Sequence, residues 1–209
     1  AKAELAEAEA HRPFQHHSHP KSCIVDLPPS MQLTTDRLTL REYTPDDVPA
    51  VLAYQRDPRY NRYYPWTDRT EAEVRKFLQM FFDWRAEEPR RKFQFAITLS
   101  DSGQLIGSAG IRRKSENDWE ADIGYELAPE HWGNGYATEA ARALVDFGFR
   151  ELKLHRISSW CIAENAASVR VLERLGFKLE GRLRENDHFK NRWWDSLLYA
   201  LLEDEWRTP

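Results

Sequence analysis

The stretch His131-Trp132-Gly133-Asn134-Gly135-Tyr136-Ala137-Thr138-Glu139-Ala140 decides how this chain is read. Before it lies a short apolar run, Ile123 to Leu127, that reads as a strand, followed by the loop Ala128-Pro129-Glu130. Beyond it Ala141, Leu144, Val145, Phe149 and Leu152 recur at helical spacing. A glycine-rich turn therefore opens a helix. The first N–H groups of a helix have no partner within it, and the aligned peptide dipoles favour negative charge there. Gly133 and Gly135 reach backbone angles closed to other residues, and without a Cβ they let an anion approach the amides. The stretch predicts a cradle for a pyrophosphate.

Two common nucleotide loops do not fit. A dinucleotide-binding fingerprint needs a third glycine where Thr138 stands, and it follows its strand directly. A Walker-type loop needs Gly-Lys-Ser/Thr, which the sequence lacks. The spacing resembles instead the coenzyme A loop of the GNAT superfamily of acetyltransferases, Arg/Gln-x-x-Gly-x-Gly/Ala, with Trp132 at the Arg/Gln place and Gly135-Tyr136-Ala137 at the end. One branch, the RimJ/RimL-like ribosomal-protein alanine N-acetyltransferases, often reads Tyr-Trp-Gly-x-Gly-Tyr-Ala-Thr-Glu-Ala and is more similar still.

The resemblance extends in order along the chain, from about Met31 to Arg207. Thr34 to Arg41 resembles the first strand of that family, Leu105 to Ile111 the third and Asp122 to Leu127 the fourth. Asn165-Ala166-Ala167-Ser168 through Gly176-Phe177 resembles its last helix. Arg192 to Asp195, followed by Leu197-Leu198-Tyr199, resembles the closing hairpin.

Bulk composition narrows the class. A length of 209 residues accommodates one domain with a hydrophobic core and a tail. The net charge of −4, from 34 acids and 30 bases, argues against a nucleic-acid binder. No apolar run approaches a membrane span, and the charged segment Ala1 to Glu7 does not read as a signal peptide. Cys23 and Cys161 make neither a disulfide framework nor a metal site, so no metal is expected and a cytoplasmic, reducing location is. Residues 1–30 read as a mobile N-terminal extension in which the histidines lack fixed-spacing partners. Residues 31–209 read as the catalytic domain, with Met31 a candidate native start.

Periodicity supplies the elements. Thr44-Pro45-Asp46-Asp47 caps a helix running to about Gln55. An irregular aromatic segment, Asp57 to Trp66, leads into a helix from about Thr70 to Glu87 with Val74, Phe77, Leu78, Phe81 and Trp84 on one face. Phe93 to Leu99 and Gln104 to Arg112 read as a hairpin, and Trp119 to Leu127 as the next strand. The cluster Arg112-Arg113-Lys114 reads as the solvated end of a hairpin rather than a contact for the coenzyme's 3′-phosphate. His155 to Ile162 is a strand; Asn165 caps a helix that stops at Gly176. Lys178 to Asp187 and Trp194 to Glu203 close the chain around a turn near Lys190-Asn191. The alternation predicts an α+β fold with a mixed sheet and helices on both faces. The resemblance sharpens this to the GNAT acyl-CoA N-acyltransferase fold, a mostly antiparallel seven-stranded sheet in α/β/α layers, splayed between its fourth and fifth strands.

The resemblance implies acetyl-CoA as co-substrate and a primary amine as acceptor. Coenzyme-binding groups are then expected at Leu127, Ala128, Trp132, Gly133, Asn134, Gly135, Tyr136, Ala137, Thr138, Asn165 and Ser168. Backbone of Glu126, Leu127 and Ala128 would pair with the pantetheine like an added strand, and the Leu127 amide would face the thioester oxygen. An alkylamine is protonated at neutral pH, so a carboxylate must collect its proton. Glu120, Asp122 and Glu126 share one face of their strand by its two-residue period. Family position favours Glu126, whose other reading is a surface carboxylate. Many relatives of this kind carry a tyrosine where Leu172 stands. Ser168 is the remaining hydroxyl for the departing thiolate, or a simple support of the helix start. The aromatic segment Tyr60 to Trp66 and the hairpin His188 to Trp194 are where such proteins build the acceptor pocket. With no cysteine placed as nucleophile, direct transfer in a ternary complex is expected. The preferred acceptor is a protein N-terminal α-amino group. A polyamine, an amino acid or an aminoglycoside, and a non-catalytic acyl-CoA-binding module, are the alternatives. The same reading leaves a monomer or a homodimer, with no nucleic-acid or membrane partner.

Overall fold

In a computed structural model, residues 31–113 and 119–206 are described. The extension expected at 1–30, Cys23 and Lys114 lie outside them. Strands β1 (Gln32–Thr34), β2 (Leu38–Glu42), β3 (Lys92–Leu99), β4 (Leu105–Arg113), β5 (Glu120–Leu127), β6 (Arg156–Ile162), β7 (Lys178–Phe189) and β8 (Arg192–Leu202) form one sheet. Its order is β1-β2-β3-β4-β5-β6-β8-β7. Every neighbouring pair is antiparallel except β5 and β6. Helices α1 (Val48–Gln55) and α2 (Glu71–Arg85) cover one face; α3 (Tyr136–Arg150) and α4 (Ala166–Arg174) cover the other.

Strand alternation sorts the core into two layers. On β3, Phe95 and Ile97 face α3 and α4, in a cluster with Leu38, Ile111, Leu144 and Ile157. Ala96, between them, points the opposite way into a second cluster with Val51, Val74, Leu78 and Phe81. Burying a Leu or Ile side chain contributes about 1.5–3 kcal/mol, so the two clusters clamp the sheet from both sides. Helix α2 starts where Thr70 and Glu73 form a reciprocal cap: the Glu73 carboxylate accepts from Thr70 N–H at 2.7 Å and Thr70 Oγ1 accepts from Glu73 N–H at 3.3 Å.

The sheet has eight strands where seven were expected. The extra one arises because Thr35 turns the chain before Leu38: its N–H reaches Leu38 C=O at 2.9 Å and its Oγ1 accepts from Leu38 N–H at 3.0 Å. Gln32–Thr34 then pairs back on Thr39–Arg41. The basic cluster also differs from expectation. Arg112 and Arg113 lie within β4, Arg112 on Asp122 at 2.6 Å and Arg113 on the Leu152 carbonyl. A cross-strand pair holds Arg112, and the carbonyl of the α3–β6 connection holds Arg113, so both serve as structural cations. The β7–β8 turn falls at Lys190 and Asn191, both with positive φ (53° and 54°), the geometry of a tight two-residue hairpin loop.

Candidate active site at the split beside the fifth strand

β5 and β6 pair only through Glu120–Asp122 and Arg156–Ser158, after which they part. Ala128 donates its N–H to Ile106 on β4 at 2.8 Å, in a register that sets Glu126 opposite Ser108 and Leu127 opposite Gly107. Antiparallel alternation thus turns the backbone of Glu126 and Ala128 towards β4, and that of Ile123, Tyr125 and Leu127 towards the split. Two side-chain bonds agree with this. Ser159 Oγ donates to Ile123 C=O at 3.1 Å, and Trp132 Nε1 donates to Leu127 C=O at 2.9 Å. The N–H groups of Tyr125 and Leu127 face the opening. Ala128, expected among the pantetheine's partners, is engaged on both sides: its N–H binds Ile106 and its carbonyl accepts from His131 N–H at 3.0 Å. Glu126 N–H likewise faces the ladder. The Tyr125 N–H, which faces the split instead, was not foreseen.

The glycine loop has the predicted form. Gly133 and Gly135 sit at φ +80° and +81°, angles at which a side chain is strained. Gly135 is the N-cap of α3, and no side chain caps that end. Glu139 N–H is the first to bond within the helix, to Gly135 C=O at 3.0 Å, which leaves the amides of Tyr136, Ala137 and Thr138 as the helix's orphan donors. A Cβ built on Gly133 would meet nothing within 4 Å, so the loop is open beside that residue. Asn134 braces the turn, its Nδ2 donating to the carbonyls of His131 and Trp132 at 3.2 Å each. The cradle fits a diphosphate.

Of the three carboxylates on β5, two are paired for structure. Glu120 lies 3.2 Å from Arg156, and Asp122 2.6 Å from Arg112. Glu126 differs. Tyr54 donates to its Oε1 at 2.8 Å; Tyr60 and Tyr64 donate to its Oε2 at 2.6 and 3.2 Å. Three donors on a carboxylate with about four acceptor positions leave room for roughly one more partner. Burial, and then the charge of Glu126, hold the Tyr54 and Tyr60 hydroxyls well above the usual tyrosine value of 10.0, and Tyr64 is raised by the same causes. All three stay protonated donors at physiological pH. Their rings form a ladder: Tyr54 edge-on to Tyr60 at 5.1 Å, Tyr60 stacked on Tyr64 at 4.9 Å, Tyr64 on Trp66 at 4.6 Å, with Arg69 over Trp66 at 3.9 Å. A surface carboxylate, the other reading of Glu126, is not what stands here.

On the opposite face, Asn165 caps α4 by accepting from Ser168 N–H at 3.1 Å. Ser168 Oγ lies 3.1 Å from the Tyr125 hydroxyl, which also donates to Ser168 C=O at 3.1 Å. Burial raises the Tyr125 hydroxyl above 10.0. Leu172 is fully buried in the core, so the helix itself offers no second hydroxyl at that place. Cys161, on β6, is a half-buried thiol pushed up by burial to about 11. On the Glu126 side, the hairpin tip and the aromatic segment meet. Lys190 Nζ donates to Asn61 C=O at 2.7 Å, Tyr63 donates to Glu164 C=O at 3.0 Å, and Tyr63 packs edge-on against Trp194 at 5.9 Å.

Comparison with known proteins places this arrangement. The family described as "Acetyltransferase (GNAT) domain" matches residues 37–178. The N-acetyltransferase p20 of Bacillus licheniformis is 35% identical over 177 residues, covering 83% of this chain and 97% of that protein. The ribosomal protein uS5-alanine N-acetyltransferase of Escherichia coli is 28% identical over 190 residues, 87% of this chain and 95% of that protein. The crystal structure of a GNAT-family acetyltransferase from Bacillus anthracis superposes with a TM-score of 0.73 at 32% identity, covering 84% of this chain and 100% of that one. The chain belongs to the GNAT family and is an acetyl-CoA-dependent N-acetyltransferase.

Proposed function

We propose that this protein acetylates the α-amino group of a protein N-terminus by direct transfer in a ternary complex. The observation that carries the reading is the placement of Glu126, tied by three tyrosines at the mouth of a backbone split whose free amides belong to Tyr125 and Leu127. When bound, acetyl-CoA supplies the acetyl group as an activated thioester. The amides of Gly133 to Thr138 would hold its diphosphate, and Leu127 N–H would meet the negative charge developing on the carbonyl oxygen. A backbone donor of this kind contributes about 10²–10³ in rate. Glu126 would draw in the acceptor as an ammonium and take its proton, directly or through a water, leaving the neutral amine. Ser168, backed by the Tyr125 hydroxyl, would hydrogen-bond the departing thiolate, which then takes up a proton from water. Asn165 keeps Ser168 in place as the helix cap.

Similarity to the uS5-alanine enzyme supports a peptide N-terminus as acceptor. The wall formed by Tyr63, Glu164, Lys190 and Trp194 would receive the residues that follow the amine. The raised Cys161 thiol and its place within a strand support direct attack rather than an acyl-cysteine route. With reduced thiols, a cytoplasmic location belongs to the same reading.

Thiol release from acetyl-CoA tests the proposal against an alanine-initiated peptide, the same peptide N-acetylated, spermidine, an amino acid and an aminoglycoside. Release that needs the peptide and vanishes when its N-terminus is blocked is the expected result. Turnover with a small amine alone would overturn the acceptor assignment. Tight acetyl-CoA binding without amine-dependent turnover would make the chain a binding module.

A further inference from the structure

The glycine loop contains no basic side chain between Trp132 and Thr138, and the next residue is an acid. Glu139 stands in the first turn of α3, where its carboxylate would repel an arriving diphosphate. It does not stand there alone. Thr35 Oγ1 and Arg37 N–H donate to its Oε1 at 2.6 and 2.9 Å, and Arg37 Nε donates to its Oε2 at 2.7 Å. A second guanidinium nitrogen of Arg37 lies 2.6 Å from the same Oε2. The remaining reach of Arg37 goes to the loop. Its Nη1 donates to Asn134 C=O at 3.1 Å, its guanidinium lies over the Tyr136 ring at 4.7 Å, and its Nη2 is 3.5 Å from where a Gly135 Cβ would stand. Arg37 comes from the β1–β2 turn, about a hundred residues away in sequence, and contacts the loop at Asn134 and Tyr136, on either side of Gly135.

Resting on the coenzyme cradle proposed above, we infer that Arg37 is a positioning residue for the co-substrate: it cancels the Glu139 charge beside the diphosphate site and so lets that first turn accept an anion. The pair is lopsided in a telling way. The Arg37 side chain is 50% exposed and Glu139 only 17%, so the positive end faces outward, over the loop, and the negative end is turned in. Loss of Arg37 would leave a carboxylate uncompensated next to the phosphates.

The test is calorimetric binding of coenzyme A by the full chain and by Arg37→Ala, Arg37→Lys, Glu139→Gln and the double variant Arg37→Ala/Glu139→Gln. The KM for acetyl-pantetheine, which lacks the diphosphate, is measured in parallel. Arg37→Ala should weaken coenzyme A about tenfold or more, the scale of one charge-assisted interaction. Glu139→Gln should bind at least as well as the parent, and the double variant should recover much of the loss. Arg37→Lys should fall between, since a lysine restores the charge but not the fork. The KM for acetyl-pantetheine should not move in any of them. Unchanged coenzyme A affinity in Arg37→Ala would overturn the inference. So would a Glu139→Gln variant as weak as Arg37→Ala, or parallel losses with acetyl-pantetheine, because either describes a strut and not a charge effect. Failure of the cradle itself reads differently: the unaltered chain would then bind coenzyme A no more tightly than pantetheine.

Discussion

Replacing Glu126 separates its chemical role from its role as the anchor of three tyrosines. In Glu126→Gln one oxygen survives. Placed at the Oε2 position it still accepts from Tyr60 and Tyr64, while the amide nitrogen meets Tyr54, which must rotate its hydroxyl to accept instead. Hydrogen bonds to charged groups contribute about 1.5–3 kcal/mol each and neutral ones about 1. Removing the half-buried charge also relieves its desolvation, so a net cost of about 1 kcal/mol is expected. For a chain of this size that is a fall of about 2–4 °C in Tm. Glu126→Ala leaves three phenolic hydroxyls without their acceptor, although water can reach the half-buried site. A cost of about 3 kcal/mol, or about 6–12 °C, follows from the same principles. Turnover should respond differently. Both variants lose the group that collects the amine proton, so kcat should fall about 10²–10⁴-fold in each while the KM for acetyl-CoA stays near the parent value. Thermal melts by circular dichroism and initial rates of thiol release measure the two effects separately. A Glu126→Gln enzyme within about threefold of the parent kcat would refute the proton-collecting role. A Glu126→Ala chain melting with the parent would refute the anchoring one.

Gly135→Val should weaken coenzyme A binding by at least about tenfold with the fold retained, because φ +81° strains a β-branched residue by about 1–2 kcal/mol and its side chain would press on Arg37. Unchanged affinity by calorimetry would remove the cradle argument. Ser168→Ala should lower kcat about tenfold or more while leaving the acetyl-CoA KM within about twofold, the split expected of a group that acts on the departing sulfur. An unaltered rate would return Ser168 to the support of α4. Cys161→Ala should turn over like the parent. In the parent, alkylation of Cys161 by iodoacetamide should stay slow through neutral pH and accelerate only towards pH 11, since burial stabilises the neutral thiol over the thiolate and raises its pKa. Fast labelling at pH 7 would contradict that environment.

What the sequence announces and what it conceals divide along a physical line. The cradle is legible because left-handed glycines, an apolar strand before them and a helical period after them all lie within one window. The Asn165 cap and the Lys190-Asn191 turn are legible for the same reason: their partners are near neighbours in the chain. The tyrosine cage is not. Tyr54, Tyr60 and Tyr64 reach Glu126 across 72, 66 and 62 residues, and nothing local in any of the four segments encodes the meeting. The spacing of Tyr60 and Tyr64 about a single short turn was the available signal, and it reads equally well as core. Strand periodicity alone does not choose among Glu120, Asp122 and Glu126, on the same ground; only family position favours Glu126. A period of two sets all three on one face, and only the register with β4 and β6 assigns Arg112 and Arg156 to the first two. The missed strand β1 reflects a turn made by Thr35, a residue whose β-propensity hides its side chain's capacity to bond its own backbone.

The period that blurred that choice also explains the economy of the site. Along β5, Tyr125 points to the α3–α4 face and meets Ser168, while Glu126 points to the α1–α2 face and meets the tyrosines. Between them, the backbone of Tyr125 and Leu127 turns edgewise into the split. Three consecutive residues therefore supply a hydroxyl network on one side of the sheet, a carboxylate on the other and hydrogen-bond donors in the plane. On the proposed reading, the group that removes the amine's proton and the group that tends the departing sulfur are separated by the sheet itself and cannot exchange a proton directly. The amide of Leu127 lies in the plane of the sheet between these two faces, and the Trp132 indole braces the carbonyl of the same residue. A one-residue slip of β5 against β4 would exchange the faces of Tyr125 and Glu126 and turn the Leu127 amide into the ladder. The buried set Ala121, Ile123 and Leu127 would leave the core in the same slip. The packing that fixes the register thus also fixes which face receives the amine.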